Sequence, residues 1–221
     1  MTFSPQVLEM IKAGIGETLF MVFASTIISY LIGIPLGIIL VVTDKGGIKP
    51  IPVLQNVLGI VINLLRSVPF LILLIMVLPV TRMIVGTTLG AKAVVPPLVI
   101  AAAPYIARMV ESSFKEVDAG VIEAAKSMGA STFQIIWKVL LPEAKPSLLV
   151  GAAISTTTIL GYSAMAGAVG GGGLGGIAIN YGYYRYQTDM MFLTVAILVI
   201  IVQIIQEIGM KLARVSDKRI R

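Results

Sequence analysis

Five apolar stretches dominate the chain, at residues 19–42, 53–80, 94–110, 147–168 and 190–210. Each is near or above the roughly 17–25 residues that a helix needs to cross the hydrocarbon core of a bilayer. Pro96, Pro97 and Pro104 interrupt the third. Membrane helices tolerate proline where neighbouring groups re-satisfy the freed carbonyls. The expected fold is therefore all-α: a polytopic membrane protein with about five transmembrane helices. Composition agrees. The chain is 57% hydrophobic and 13% charged, where a soluble domain has roughly 45–50% apolar and about 25% charged residues. The leader carries Glu9, Lys12 and Glu17 rather than a basic cluster. The apolar run behind it exceeds the roughly 7–15 residues of a signal-peptide core, so it reads as a retained span.

Lys and Arg distribution sets the expected orientation. Lys45 and Lys49, then Arg108, Lys115, Lys126, Lys138 and Lys145, then Lys211, Arg214, Lys218, Arg219 and Arg221 fall on one side. Only Lys12, Arg82, Lys92 and Arg185 fall on the other, while Arg66 lies inside the second span. The positive-inside rule puts the richer set in the cytoplasm. The N-terminus then faces out and the C-terminus in. The expected organisation is an extracytoplasmic leader at 1–18, a transmembrane domain at 19–212 and a basic cytoplasmic tail at 213–221. Topology thus accounts for the net charge of +6, and no nucleic-acid role is expected.

Several chemistries are excluded. The chain has no His and no Cys, so disulfides, thiolate or imidazole metal sites, a Cys nucleophile and a Ser-His-Asp triad are absent. No catalytic residue, metal or cofactor is expected.

The most informative segment is the connection between the third and fourth spans, about 111–146: ESSFKEVDAGVIEAAKSMGASTFQIIWKVLLPEAKP. It is too polar to cross a membrane yet patterned for helices. Asp118 can cap a helix through Val121, Ile122, Ala125 and Met128, and Gly129 can end it in a left-handed conformation. Ser131 and Gln134 form a capping box for a second helix. Phe133, Ile136, Trp137 and Leu140 form one stripe of that helix, and Pro142 stops it. Such an elbow can insert into a groove on another protein, with Ala124 and Ala125 permitting close approach. The stripe can equally pack on the chain's own helices or lie in the lipid interface.

Glu123-Ala124-Ala125, three residues, Gly129, nine residues, Val139, one residue and Leu141-Pro142 resemble the EAA loop of ABC importer permeases, with Val139 standing where the family usually has Ile. The likeness extends to Glu17-Thr18-Leu19, Asn63, Arg66-Ser67-Val68-Pro69-Phe70, residues 103–111 and Gly161-Tyr162-Ser163-Ala164-Met165, which look like the methionine-type permease. The resemblance implies a five-helix permease working as a homodimer. It also implies two copies of a cytoplasmic ABC ATPase, and an extracytoplasmic methionine-binding protein, often a lipoprotein. By the same resemblance Glu123, Ala124, Ala125, Gly129, Val139, Leu141 and Pro142 couple the permease to the ATPase. Cyclic dimers are the commonest closed assembly, and two chains around a two-fold axis would enclose a path.

Other features allow two readings. The run from Gly167 to Gly176 lacks the Lys of a phosphate-binding loop. It reads as a flexible or tightly turning outer loop, or as a contact for a binding protein. No other segment offers a nucleotide site, so ATP is expected on another chain. Arg66, with Asn63, Ser67 and Pro69 nearby, either pairs structurally or faces the pathway. Gly33 and Gly37 have the spacing of close helix packing. Tyr181, Tyr183, Tyr184 and Tyr186 suit an interfacial aromatic belt. Small neighbours around Met165 leave room for it to narrow a gate, although Met also fills irregular gaps in packing. Tyr162 and Ser163 join Met165 and Arg66 as candidate pathway residues. The expected function is ATP-driven methionine import by alternating access. The alternatives are import of another small amino acid or a methionine derivative, an ATPase-independent channel or secondary transporter, and a membrane anchor.

Overall fold

The computed structural model describes residues 5–217. Lys218, Arg219 and Arg221 of the expected basic tail lie outside the described residues. Among the described residues the fold is all-helical. Helix α1 (Pro5–Thr43) is a single 39-residue helix, about 58 Å long at 1.5 Å per residue. Residues 5–18, expected as an extracytoplasmic leader, form the first part of this helix.

The second apolar stretch departs from expectation. Instead of one span over 53–80, it forms α2 (Pro52–Ser67) and α3 (Phe70–Val85), bent by 105° at the break. Pro69 causes this. It has no N–H to continue a helix, it disfavours helical geometry at Val68, and its own backbone is extended at φ −57, ψ 134. The Ser67 hydroxyl donates back to the Asn63 carbonyl at 2.8 Å, a side-chain bond to the preceding turn at the end of α2. Four helical segments are long and apolar enough to cross a membrane, or five with the bent pair as one span. Arg66 accordingly sits in the last turn of α2, not in the middle of a straight span. There a cation faces the negative end of the helix dipole.

Helix α4 (Ala91–Lys115) runs unbroken through Pro96, Pro97 and Pro104. It leads to α5 (Ala119–Ser127) and the short α6 (Thr132–Ile135), then a π-helical turn (Ile136–Leu140) and α7 (Leu141–Ala166). Pro142 does not stop the helix. The preceding turn widens to π geometry, with Leu141 N–H donating to the Ile136 carbonyl five residues back, and α7 continues through Pro142 and Pro146. A tight 3-10 turn (Gly167–Val169), the five-residue α8 (Gly173–Ile177), a second π turn (Ala178–Tyr183) and α9 (Thr188–Ser216) complete the chain. Helix α9 exposes Phe192, Val195, Val199, Ile204 and Ile208, a surface suited to lipid rather than to water.

The described residues form two compact units. One holds 5–28, 68–102 and 155–206; the other holds 29–67, 103–154 and 207–217. The first has a core of Ile11, Leu174, Ile177 and Met190, against which Val7, Met10, Ile15 and Leu193 pack. In the second, Leu40, Ile62 and Ala107 form the core with Leu36 and Leu58. There α1 and α4 approach closely: a Cβ at Gly37 would lie 2.6 Å from Val110. The small residues at 33 and 37 are what that approach requires.

Candidate coupling and pathway sites

The polar connection builds its elbow from local rules. The Asp118 carboxylate accepts from the Gly120 N–H at 2.7 Å and caps α5. At the other end Gly129 has φ +79. Its N–H donates to the Lys126 carbonyl at 2.9 Å, and the Ala130 N–H donates to the Ala125 carbonyl at 3.1 Å. These two bonds are the Schellman pairing, which needs a residue with left-handed backbone between them. Ser131 then opens α6 with a complete capping box. Its hydroxyl accepts from the Gln134 N–H at 3.3 Å, and its own N–H donates to Gln134 Oε1 at 2.8 Å.

Glu123 and Ala124 are exposed on α5 while Ala125 is buried. Glu123 has no hydrogen-bond or ion-pair partner among the described residues, which leaves its carboxylate available to another chain. Val139 and Leu141 are half-buried and Pro142 is exposed. The expected single stripe splits in two. Of the expected stripe, Leu140 is buried and Ile136 half-buried, with Ile135, outside the stripe, buried too, whereas Phe133 and Trp137 are exposed and stacked on each other, with centroids 6.2 Å apart. The π turn accounts for the later positions, since the wider turn shifts the register of everything after Ile135, while Phe133 is already exposed on α6 before it. Two aromatic faces are thus presented outward beside Glu123's helix.

At the base of the elbow lies a charge chain built on Arg108, Glu111 and Lys115. Arg108 Nη1 donates to Glu111 Oε2 at 2.8 Å. Its Nη2 donates to the Gly59 carbonyl at 3.0 Å and to Asn63 Oδ1 at 3.1 Å. Lys115 Nζ bonds Glu111 Oε1 at 2.9 Å and Asp44 Oδ2 at 2.8 Å. Glu111 is almost fully buried, with its side chain 7% exposed, and bridges the two cations. The chain ties the end of α1 and the face of α2 to α4, directly before the elbow begins. Asn63, expected beside Arg66, is used by Arg108 instead.

The pathway candidates divide between the units. Tyr162, Ser163 and Met165 share the end of α7 in the first unit, and Arg66 belongs to the second. Tyr162 stacks on Phe70 with centroids 4.6 Å apart. The buried Ser163 hydroxyl donates to the Leu160 carbonyl at 2.7 Å, so it serves its own helix. Met165 is exposed.

The glycine run proves to be packed rather than loose. Residues 173–178 are buried. A Cβ at Gly167 would run into the Gly175 and Gly176 backbone, and one at Gly175 into the backbone of Ala164. Beyond it, Arg185 lies 4.4 Å over the Tyr181 ring, and Tyr183, Tyr184 and Tyr186 are exposed.

A family model described as the binding-protein-dependent transport system inner membrane component matches residues 33–221. The chain belongs to this family. As such it is a multi-pass inner-membrane component of a transport system. Its relatives include the "probable D-methionine transport system permease protein MetI" of Vibrio cholerae, 48% identical over 211 residues, covering 96% of this chain and 94% of the relative. The "methionine import system permease protein MetP" of Bacillus subtilis is 46% identical over 181 residues, 82% of each chain. Among solved structures, a chain of the MetNI methionine ABC transporter in an inward-facing conformation matches with TM-score 0.96 at 44% identity, over 98% of this chain and 100% of that one. A chain of an amino acid ABC transporter solved with histidines shares the fold, with TM-score 0.78 at 21% identity, over 97% of this chain and 99% of that one.

Within this transport family member, Asp44 gives the charge chain a pH signature. The Lys115 hydrogen bond, then the Lys45 backbone N–H at 2.8 Å, hold its carboxyl below the ordinary value of 3.8. A carboxyl depressed in the folded state stabilises fully above its ordinary value, and that contribution is lost as pH falls through the depressed one. Thermal unfolding of the purified protein should therefore decline more gently with acidification in Asp44→Asn than in the wild type. Identical slopes below about pH 4 would remove Asp44 from the chain's energetics.

Proposed function

We propose that this chain is the permease subunit of an ATP-driven methionine importer, forming a homodimer that works by alternating access. One observation carries the reading: the TM-score of 0.96 and 44% identity, over nearly its whole length, with a chain of a methionine ABC transporter. The chain itself hydrolyses nothing. A cytoplasmic ATPase dimer docks on the elbow over 123–142, and an extracytoplasmic methionine-binding protein, often a lipoprotein, delivers substrate. The N-terminus faces out and the C-terminus faces the cytoplasm, with lipid around the apolar surface.

The geometry suits each role. Two short helices held rigidly by an N-cap, a Schellman turn and a capping box transmit displacement without absorbing it. Exposed Glu123 and Ala124, with the stacked Phe133 and Trp137, offer a partner one charge, one close approach and two aromatic anchors. Gly129 sets the bend, and Val139, Leu141 and Pro142 carry the motion into α7. At the other end of α7, exposed Met165 is the residue assigned to narrow the gate, with Tyr162 and Ser163 next to it in the chain. Arg66, in the last turn of α2, is the cation assigned to the pathway.

The test is uptake of labelled methionine by a strain that lacks its own methionine importer and expresses this chain with its cognate ATPase and binding protein. Accumulation that needs all three, and is competed by unlabelled methionine better than by other small amino acids, is the expected result. Uptake that persists without the ATPase would make the chain a channel or secondary transporter. Equal competition by another amino acid would reassign the substrate.

A further inference from the structure

The first unit contains an interaction that none of the transport roles above uses. The Gly173 N–H donates to Glu17 Oε2 at 2.6 Å. The adjacent Leu174 N–H donates to Thr18 Oγ1 at 2.9 Å, while the Thr18 hydroxyl itself donates to the Gly14 carbonyl at 2.8 Å. Two neighbouring side chains on α1 thus hold two neighbouring amides at the start of α8, a sequence distance of 156 residues. The segment they hold is set up by positive φ at Gly170, Gly172 and Gly173. It is tied on its other flank by the Gly90 N–H, which donates to the Gly170 carbonyl at 2.9 Å.

We propose that Glu17, assisted by Thr18, is a positioning residue for the closed outer end of the transport path, clamping the glycine segment 170–177 against the turn that carries Met165. The mechanical link is backbone contact. Gly175 abuts Ala164, and Gly167 abuts Gly175 and Gly176, with no side chain between them. The segment therefore cannot shift without moving the residues on either side of Met165. Of the two clamping groups Thr18 is buried and Glu17 is exposed, so the Glu17 bond is the one that water or a partner can reach. An open, mostly apolar groove of about 440 Å³ lined by Gly16, Glu17, Phe20, Leu89, Gly90 and Lys92 lies alongside. It leaves space beside the carboxylate, with Lys92 in its lining as an opposite charge. A charge-assisted bond to a backbone N–H is stronger than a neutral one, yet exposure makes it reversible. That combination suits a latch released once per cycle.

The inference rests on the transport reading, but its test does not depend on the substrate. The full permease with its cognate ATPase is placed in nanodiscs as wild type, Glu17→Ala, Glu17→Gln and Gly172→Ala. The last introduces a methyl 2.7 Å from Glu17 Oε2 at a residue with φ +76, and so disturbs the clamp without removing the carboxylate. Amide hydrogen exchange and ATP hydrolysis without binding protein are then measured. Exchange at 170–177 should rise about tenfold or more in Glu17→Ala and Gly172→Ala while α9 stays protected. ATP hydrolysis should rise severalfold in the same two variants. Glu17→Gln keeps an oxygen for the Gly173 N–H and should recover most of the wild-type behaviour. Unchanged exchange at 170–177 in Glu17→Ala would overturn the clamp. So would a rise spread over the whole chain, or a Gln variant no better than Ala. Failure of the wild type to take up methionine would overturn the transport reading instead and leave the exchange result standing.

Discussion

Glu111→Ala should destabilise the protein by about 3 kcal/mol, the low end of what breaking a buried ion pair costs when one partner is left charged. Glu111 is the shared acceptor of the charge chain, bonded to Arg108 at 2.8 Å and Lys115 at 2.9 Å. Lys115 keeps Asp44 when the carboxylate is removed. Arg108 keeps only the Gly59 carbonyl and Asn63, both neutral acceptors. The Arg108 side chain is 23% exposed, so water recovers part of the loss. The expected readout is a clear drop in the unfolding temperature of the detergent-purified protein, and reduced accumulation in membranes. The double variant Arg108→Met, Glu111→Leu separates lost attraction from stranded charge. Replacing a buried pair by apolar residues of similar volume is often neutral, so the double variant should be more stable than Glu111→Ala alone. If both variants unfold together, the stranded-charge account is wrong.

Gly129→Val acts through coupling rather than stability. At φ +79 an L-residue costs roughly 1–2 kcal/mol, and β-branched residues rarely enter that region at all. The valine chain is expected to abandon the left-handed turn, break the Lys126–Gly129 and Ala125–Ala130 bonds, and re-aim α6 relative to α5. Every membrane-spanning helix lies outside this change, so insertion should be normal. Methionine transported per ATP hydrolysed should fall at least tenfold, with Gly129→Asn milder because Asn tolerates the left-handed region. A valine variant that transports with wild-type stoichiometry would mean that the elbow's bend does not carry the coupling.

The parts of the fold legible beforehand were those written in short-range code. Asp118, Gly129, Ser131 and Gln134 each act within a few positions of themselves, and each does in the structure what its residue type suggests. The 67–69 break was not legible from hydropathy, because a straight and a bent apolar run average alike. Pro69 was the available signal. Pro142 misled for the opposite reason: a proline stops an α-helix, but the π turn before it opens enough room to continue. Arg108, Glu111 and Lys115 lie at i, i+3 and i+7 on one helix, a spacing that could have been noticed inside an otherwise apolar segment. Their partners Asp44, Gly59 and Asn63 carry no such signal. The Glu17–Gly173 bond spans 156 residues, and nothing local to either end announces it.

The elbow's hydrogen bonds have a consequence for the order in which the molecule is made. The bonds of Asp118 to Gly120, Gly129 to Lys126, Ala130 to Ala125 and Ser131 to Gln134 all close within five residues. Contacts this local form fast and need no distant part of the chain. The turns of the elbow can therefore close early on the nascent chain, while its helices of nine and four residues, too short to be stable alone, gain their stability when Ala125 and Ile135 are packed. The surface offered to a partner is completed only by Trp137 and the first residues of α7, so the docking surface and the helix it drives are finished by the same stretch of chain.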